Sequence, residues 1–149
     1  MITQRLIEVL LVEDNPGDIR LTQEAFKECS VPVNLSYVTD GAEAILYLLK
    51  SNPYENASTP DIILLDLNLP KKDGKQVLAF IKGNHKLRTI PVIVLSTSNA
   101  ESDVIQAYDL HANCFITKPI DFNNFIEVVK ITEQFWFKTV RLPSERKHK

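Results

Sequence analysis

Five short apolar stretches punctuate the chain: Val9 to Val12, a weaker one from Leu35 to Val38, then Ile62 to Leu65, Val92 to Leu95 and Cys114 to Ile116. Their hydrophobicity is continuous rather than alternating, which suits strands covered on both faces. Between them, apolar residues recur at helical spacing: Leu21, Ala25 and Cys29; Ala42, Ile45, Leu48 and Leu49; Val77, Leu78 and Ile81; Val104, Ile105 and Tyr108. Each set predicts a helix with one face on a core. Strands alternating with helices specify an α/β fold with a doubly wound, five-stranded parallel sheet, because parallel strands need crossovers and those crossovers are right-handed. The flavodoxin-like strand order 2-1-3-4-5 is the smallest common solution. It places the first strand beside the third, so that Asp14 and Asp66 become neighbours.

Turn signals fit this layout. Residues 52–60 are polar, hold two prolines and read as the loop entering the third strand. Leu69 to Gly74 reads as a turn in which Pro70 ends the extended segment and Gly74 tolerates a positive φ. Asp73 is expected to stabilise that turn, and Asp40-Gly41 to start a helix.

The end of the chain departs from the alternation. From Asp121 to Val140 a helical pattern runs without Gly or Pro, long beside a mean helix of about 11 to 12 residues and reaching roughly 30 Å at the helical rise. One stripe, Phe125, Ile126, Val129 and Trp136, is enough to cover the sheet. A second, Val128, Ile131 and Phe135, exceeds what one core face can bury and marks an interface. A two-fold homodimer is the commonest way to cover such a stripe; the competing reading has the segment fold back on its own domain. Arg141 to Lys149 reads as a basic, frayed tail.

The 149 residues, 44% hydrophobic and 24% charged, fit one domain, with a core over about 6–130 and an extension over about 131–149. Net charge is -2 and the 17 basic residues are scattered, which argues against nucleic acid as a partner. No apolar stretch approaches a membrane span, and Met1 to Glu8 lacks the apolar centre of a signal peptide. A cytoplasmic location is the expectation. Cys29 and Cys114 are far apart and read as reduced packing residues; His85, His111 and His148 share no metal or triad spacing.

The chemistry lies at the strand ends. The first run ends in Glu13 and Asp14, the third in Asp66 and the last in Thr117 and Lys118. In open α/β sheets that edge is where ligands bind. Clustered carboxylates repel and raise one another's pKa unless a cation neutralises them. Oxygen-only ligands select a hard ion, and Mg²⁺ suits a half-built site that leaves room for phosphate oxygens. With Lys118 as a second positive group, the set forms an electrostatic cradle for phosphoryl transfer, and Asp66 is placed as the nucleophile that becomes an aspartyl phosphate.

Four blocks in order resemble response regulator receiver domains: Leu10-Leu11-Val12-Glu13-Asp14-Asn15; Ile63-Leu64-Leu65-Asp66-Leu67-Asn68-Leu69-Pro70 with Asp73-Gly74; Pro91-Val92-Ile93-Val94-Leu95-Ser96-Thr97; and Thr117-Lys118-Pro119. The resemblance covers about residues 6–130. It implies that Asp66 takes a phosphoryl group from a sensor histidine kinase. It implies too that Asp14, Asp66 and the backbone carbonyl of Asn68 ligate Mg²⁺ while Glu13 helps through water, and that Lys118 binds the phosphoryl group. Ser96 falls at the family's switch hydroxyl and Phe115 at its coupled aromatic position, where it lacks a hydroxyl and reports by packing. Glu133 to Phe137 followed by Val140 to Pro143, with Leu67 to Gly74, is similar to the small regulators that accompany cyanobacterial phytochromes. That narrower resemblance implies a light-regulated kinase as phosphodonor.

Three function classes follow. The first is a phosphorylation-controlled switch, enzymatic only toward itself, whose output passes to a separate downstream protein. An aspartyl-phosphate hydrolase of the haloacid dehalogenase type needs a second Asp two residues after the nucleophile, where Asn68 stands. A phosphorylation-independent, receiver-shaped adaptor has no need of the full set Glu13, Asp14, Asp66, Ser96 and Lys118.

Overall fold

The computed structural model describes residues 6–69, 73–97, 100–118, 121–139 and 141–143. Pro70, Lys71, Lys72, Pro119, Val140 and the tail beyond Pro143, which carried some of the expectations above, lie outside them. The strands are β1 (Ile7–Val12), β2 (Val33–Val38), β3 (Ile62–Asp66), β4 (Val92–Ser96) and β5 (Cys114–Thr117). They alternate with α1 (Pro16–Phe26), α2 (Gly41–Leu49), α3 (Gly74–Gly83), α4 (Glu101–Asp109) and α5 (Phe122–Thr132). All pairings are parallel and the order is β2-β1-β3-β4-β5, as the apolar pattern predicts.

Alternate residues of the central strands feed two cores. Leu10, Val12, Ile63, Leu65, Val92 and Val94 meet Ala44, Leu48, Val77, Leu78, Ile81 and Ala107 from α2, α3 and α4. Val9, Leu11, Ile62, Leu64, Ile93 and Leu95 face Ile19, Ala25 and Phe26 of α1 and Phe125 and Val129 of α5. Burial on both faces is what a continuous apolar strand requires. At the entry to β3, Asp61 closes the sheet: its N–H donates to the Glu8 carbonyl at 2.7 Å and its Oδ2 accepts the Glu8 N–H at 2.9 Å.

Four of the five α-helices start on a side-chain cap. Asp40 accepts from the Glu43 N–H at 2.8 Å, and Asp73 forms a reciprocal box with Gln76. Two predicted helix faces are corrected. In α2 the buried line is Gly41, Ala44 and Leu48, whereas Leu49 is exposed. In α4 only Ala107 is buried; Ile105 and Tyr108, expected to face the core, remain 52% and 47% exposed. The role expected of Gly74 is also corrected, since no described glycine has a positive φ. What it provides is close approach: a Cβ built there would lie 2.4 Å from both the Asp66 carbonyl oxygen and the Leu67 Cα.

The final helix is not one straight α-helix. After Thr132 the backbone widens into a π-helical segment, Glu133–Thr139. The change coincides with a buried carboxylate: one oxygen of Glu133 accepts the Ser30 N–H at 2.6 Å, the Val31 N–H at 2.8 Å and the Ser30 hydroxyl at 2.9 Å. Phe137 stacks near Phe26 with ring centroids 6.4 Å apart, and Trp136 and Leu142 join the core under α1 and α5. The segment therefore folds back on its own domain, while Ile131 and Phe135 of the second stripe stay 64% and 49% exposed and Val128 is half-buried. Glu133→Ala strands two backbone donors and is expected to cost about 2–3 kcal/mol, read as a lowered urea midpoint with loss of Trp136 fluorescence anisotropy. An unchanged midpoint would show that the carboxylate contributes nothing. No described helix is long and apolar enough to cross a membrane.

Candidate functional site

The sheet order reverses at β1, which sends its chain outward to β2 and is flanked on the other side by β3. This switch point opens a crevice at the carboxyl ends of both strands. Register fixes what gathers there: Val12 lies beside Leu65, so Glu13 and Asp14 leave β1 next to Asp66, the last residue of β3. One carboxylate oxygen from each of Glu13, Asp14 and Asp66 falls in a group no wider than 4.8 Å. Glu13 is 2% exposed and Asp66 is buried, while Asp14 faces solvent. Three acids at that spacing, two of them buried and one open, can hold a hard divalent cation.

Lys118, just past β5, is the counter-charge. Its side chain is 6% exposed, and its ammonium bonds Glu13 Oε1, Asp18 Oδ2 at 2.8 Å and Asp66 Oδ2 at 3.3 Å. Its backbone N–H donates to the Ser96 carbonyl at 2.7 Å, which ties it to the end of β4. Burial alone would lower the lysine pKa, but its hydrogen bonds to the Asp18 and Glu13 carboxylates outweigh it and hold the group charged. Burial raises Glu13, and the neighbouring Asp66 raises it further against the lowering effect of Lys118, to about 7.

Backbone donors complete the cluster. The Asn68 N–H donates to Asp66 Oδ1 at 3.0 Å and the Asn15 N–H to Glu13 Oε2 at 3.2 Å. A cavity of about 330 Å³ opens past the end of β3, lined by Leu67, Asn68, Leu69, Asp73, Lys75, Ser96 and Asp103. Glu13, Asp14, Asp66 and Lys118 are thus brought together, with Asn68 and buried Ser96 at the rim. Phe115 is half-buried against the core, and its N–H donates to the Tyr108 hydroxyl at 3.1 Å. Val128, Ile131 and Phe135 lie on α5 and the π-helical segment, away from these acids in sequence.

Sequence reasoning missed Asp18. Its signal was present: Asn15 caps α1 by accepting the Asp18 N–H at 3.0 Å, Pro16 opens the helix, and an acid in that first turn is favoured by the helix dipole. The capping turn therefore aims its carboxylate at Lys118.

Comparison with known proteins agrees with this geometry. Residues 9–130 match the family model of the response regulator receiver domain. Response regulator Rcp1 of Synechocystis sp. is 48% identical over 136 residues, spanning 91% of this chain and 92% of that protein. The crystal structure of the phosphorylated cyanobacterial phytochrome response regulator RcpA superposes with a TM-score of 0.90 at 52% identity, covering 94% of this chain and all of that one. The Mn²⁺-bound form of Rcp1 gives 0.87 at 47% identity, covering 93% and 99%. With acids, lysine and strand order all in the places this fold provides for them, the chain belongs to the response regulator receiver domain family.

Proposed function

We propose that this protein is a phosphorylation-controlled switch in which Asp66 accepts a phosphoryl group from the phosphohistidine of a sensor kinase. The observation that carries the reading is a buried Asp66 carboxylate with an ammonium 3.3 Å from one oxygen and two further acids beside it. A bond forms between an Asp66 oxygen and phosphorus as the phosphorus–nitrogen bond of the donor breaks, and the imidazole leaves. Lys118 draws the incoming oxygens and the Asn68 N–H orients the acceptor. Asp14, Asp66, the Asn68 carbonyl and, through water, Glu13 would hold Mg²⁺, which neutralises charge on the transferring group. Ser96 offers its hydroxyl from the cavity wall, and its movement is read by Phe115 through packing. The dianion on Asp66 biases a two-state equilibrium whose output is protein contact. The likeness to RcpA, a phytochrome response regulator, supports a phytochrome-linked kinase as the donor, and the scattered basic residues support a downstream protein rather than nucleic acid as the target.

Incubation with acetyl phosphate and Mg²⁺ tests the acceptor. The wild type is expected to gain one phosphoryl group by intact mass, and Asp66→Asn to gain none. No gain in the wild type, with metal binding confirmed separately, would favour a phosphorylation-independent adaptor.

The same proposal assigns the stripe Val128, Ile131 and Phe135 to a homodimer. Its support is the exposure of Ile131 and Phe135 after Trp136 and Phe137 have packed inward. Phe135→Asp is expected to give a monomer at concentrations where the wild type sediments as a dimer. A wild-type mass that stays monomeric at every concentration, phosphorylated or not, would sink the assignment.

A further inference from the structure

Of the five α-helices, α4 buries the fewest residues. It buries only Ala107, whereas α3 buries Gly74, Val77, Leu78 and Ile81. Its N-cap position is Ala100, which has no side-chain oxygen to offer the first turn. What reaches it from across the crevice is Lys75, in the first turn of α3. The ammonium bonds Asp103 Oδ1 at 3.1 Å and Gln106 Oε1. Asp103 and Gln106 are three apart and so share one face of α4. One cation thus grips the N-terminal half of the helix. Lys75 and Asp103 are half-buried and line the same cavity as Asn68 and Ser96.

We propose that Lys75, Asp103 and Gln106 form a polar latch that holds α4 at rest and is loosened by charge arriving on Asp66. This rests on the phosphoacceptor reading given above. An aspartyl phosphate adds negative charge next to the cavity wall, where Leu67 and Asn68 follow Asp66 and the Asn68 N–H donates to its Oδ1. That charge attracts the Lys75 ammonium and repels the Asp103 carboxylate, and both effects weaken the grip. With a single buried side chain, and with the Tyr108 hydroxyl holding the Phe115 N–H nearer its other end, the N-terminal half of α4 is then free to shift. Lys75 is a positioning residue in this scheme, since it touches α4 and not the transferring group.

Amide hydrogen exchange over residues 101–109 tests the latch without any donor. Asp103→Asn is expected to exchange roughly two- to fivefold faster than the wild type at low salt, the size of a partly exposed ion pair. At about 1 M salt the two should converge, because the pair is screened. Lys75→Arg should behave as the wild type, and wild type phosphorylated with acetyl phosphate and Mg²⁺ should match Asp103→Asn. Equal exchange at low salt overturns the latch. So does acceleration shared by the β3 amides, which marks general destabilisation, or phosphorylated protein, verified by mass, whose α4 exchanges no faster. Failure of the wild type to gain a phosphoryl group refutes the acceptor reading instead; the donor-free comparison still decides the latch by itself.

Discussion

Replacing Gly74 by alanine is expected to destabilise the fold by about 2–3 kcal/mol and to cut phosphoryl acceptance at Asp66. The added methyl carbon would lie 2.4 Å from the Asp66 carbonyl oxygen, 2.4 Å from the Leu67 Cα and 3.0 Å from the Leu67 carbonyl carbon. All three are backbone atoms at the end of a central strand, so no side chain can swing aside. The Gly74 N–H also donates to the Leu67 carbonyl at 2.9 Å. Relief comes either from lifting the start of α3, which breaks that bond and misplaces the Asp73 cap, or from moving the backbone that carries Asp66. Gly83→Ala is the internal control on the same helix, because a methyl group at that position would meet nothing within 4 Å. Its helix propensity gain should leave it neutral or stabilised by about 0.5–1 kcal/mol. Equal urea midpoints for the two variants would mean that the close approach at Gly74 is not a constraint.

Gly74 also marks a boundary of what sequence can convey. A glycine after Asp73 announces that a side chain is forbidden, yet a positive φ and a close backbone approach leave the same letter. The strands were legible because a strand buried on both faces must be apolar throughout, and the acids because they follow directly on those runs. Periodicity failed where the partner surface decides. Val104, Ile105 and Tyr108 form a helical stripe whether or not a core lies beneath them, and in α4 the core is met by Ala107 instead. The π-helical turn was hidden for a different reason. Glu133 reads as one more polar residue of a long helix, and its three donors belong to Ser30 and Val31, over a hundred positions away. Contacts of that range leave no local periodicity. Asp18 sits between these cases: its place in the first turn of α1 was readable, but not that Lys118 would come back to meet it.

Lys118→Met is expected to cost the metal-free protein about 3 kcal/mol at neutral pH, because removing one partner of a buried ion pair leaves uncompensated charge. The ammonium faces three carboxylates, and Glu13 and Asp66 are both buried. The defect should depend on pH in a definite sense. Glu13 already holds its proton up to about 7, against 4.5 when unperturbed. A carboxylate raised in the folded state favours folding while protonated and opposes it as pH climbs from the unfolded value through the folded one. Methionine removes a hydrogen bond that lowers Glu13, so the proton is held more tightly still. The variant should therefore lie nearest the wild type in the acid range and fall furthest below it above pH 7. A divalent cation should reverse part of the loss. Lys118 competes with any metal for Glu13 and Asp66, so its removal is expected to strengthen Mg²⁺ or Mn²⁺ binding while phosphoryl acceptance falls, since the charge that draws the phosphoryl oxygens is gone. Thermal unfolding across pH, with and without millimolar metal, separates these effects. If metal binds the variant more weakly than the wild type, Lys118 is organising the acids rather than competing for them, and the electrostatic account of the cluster is wrong.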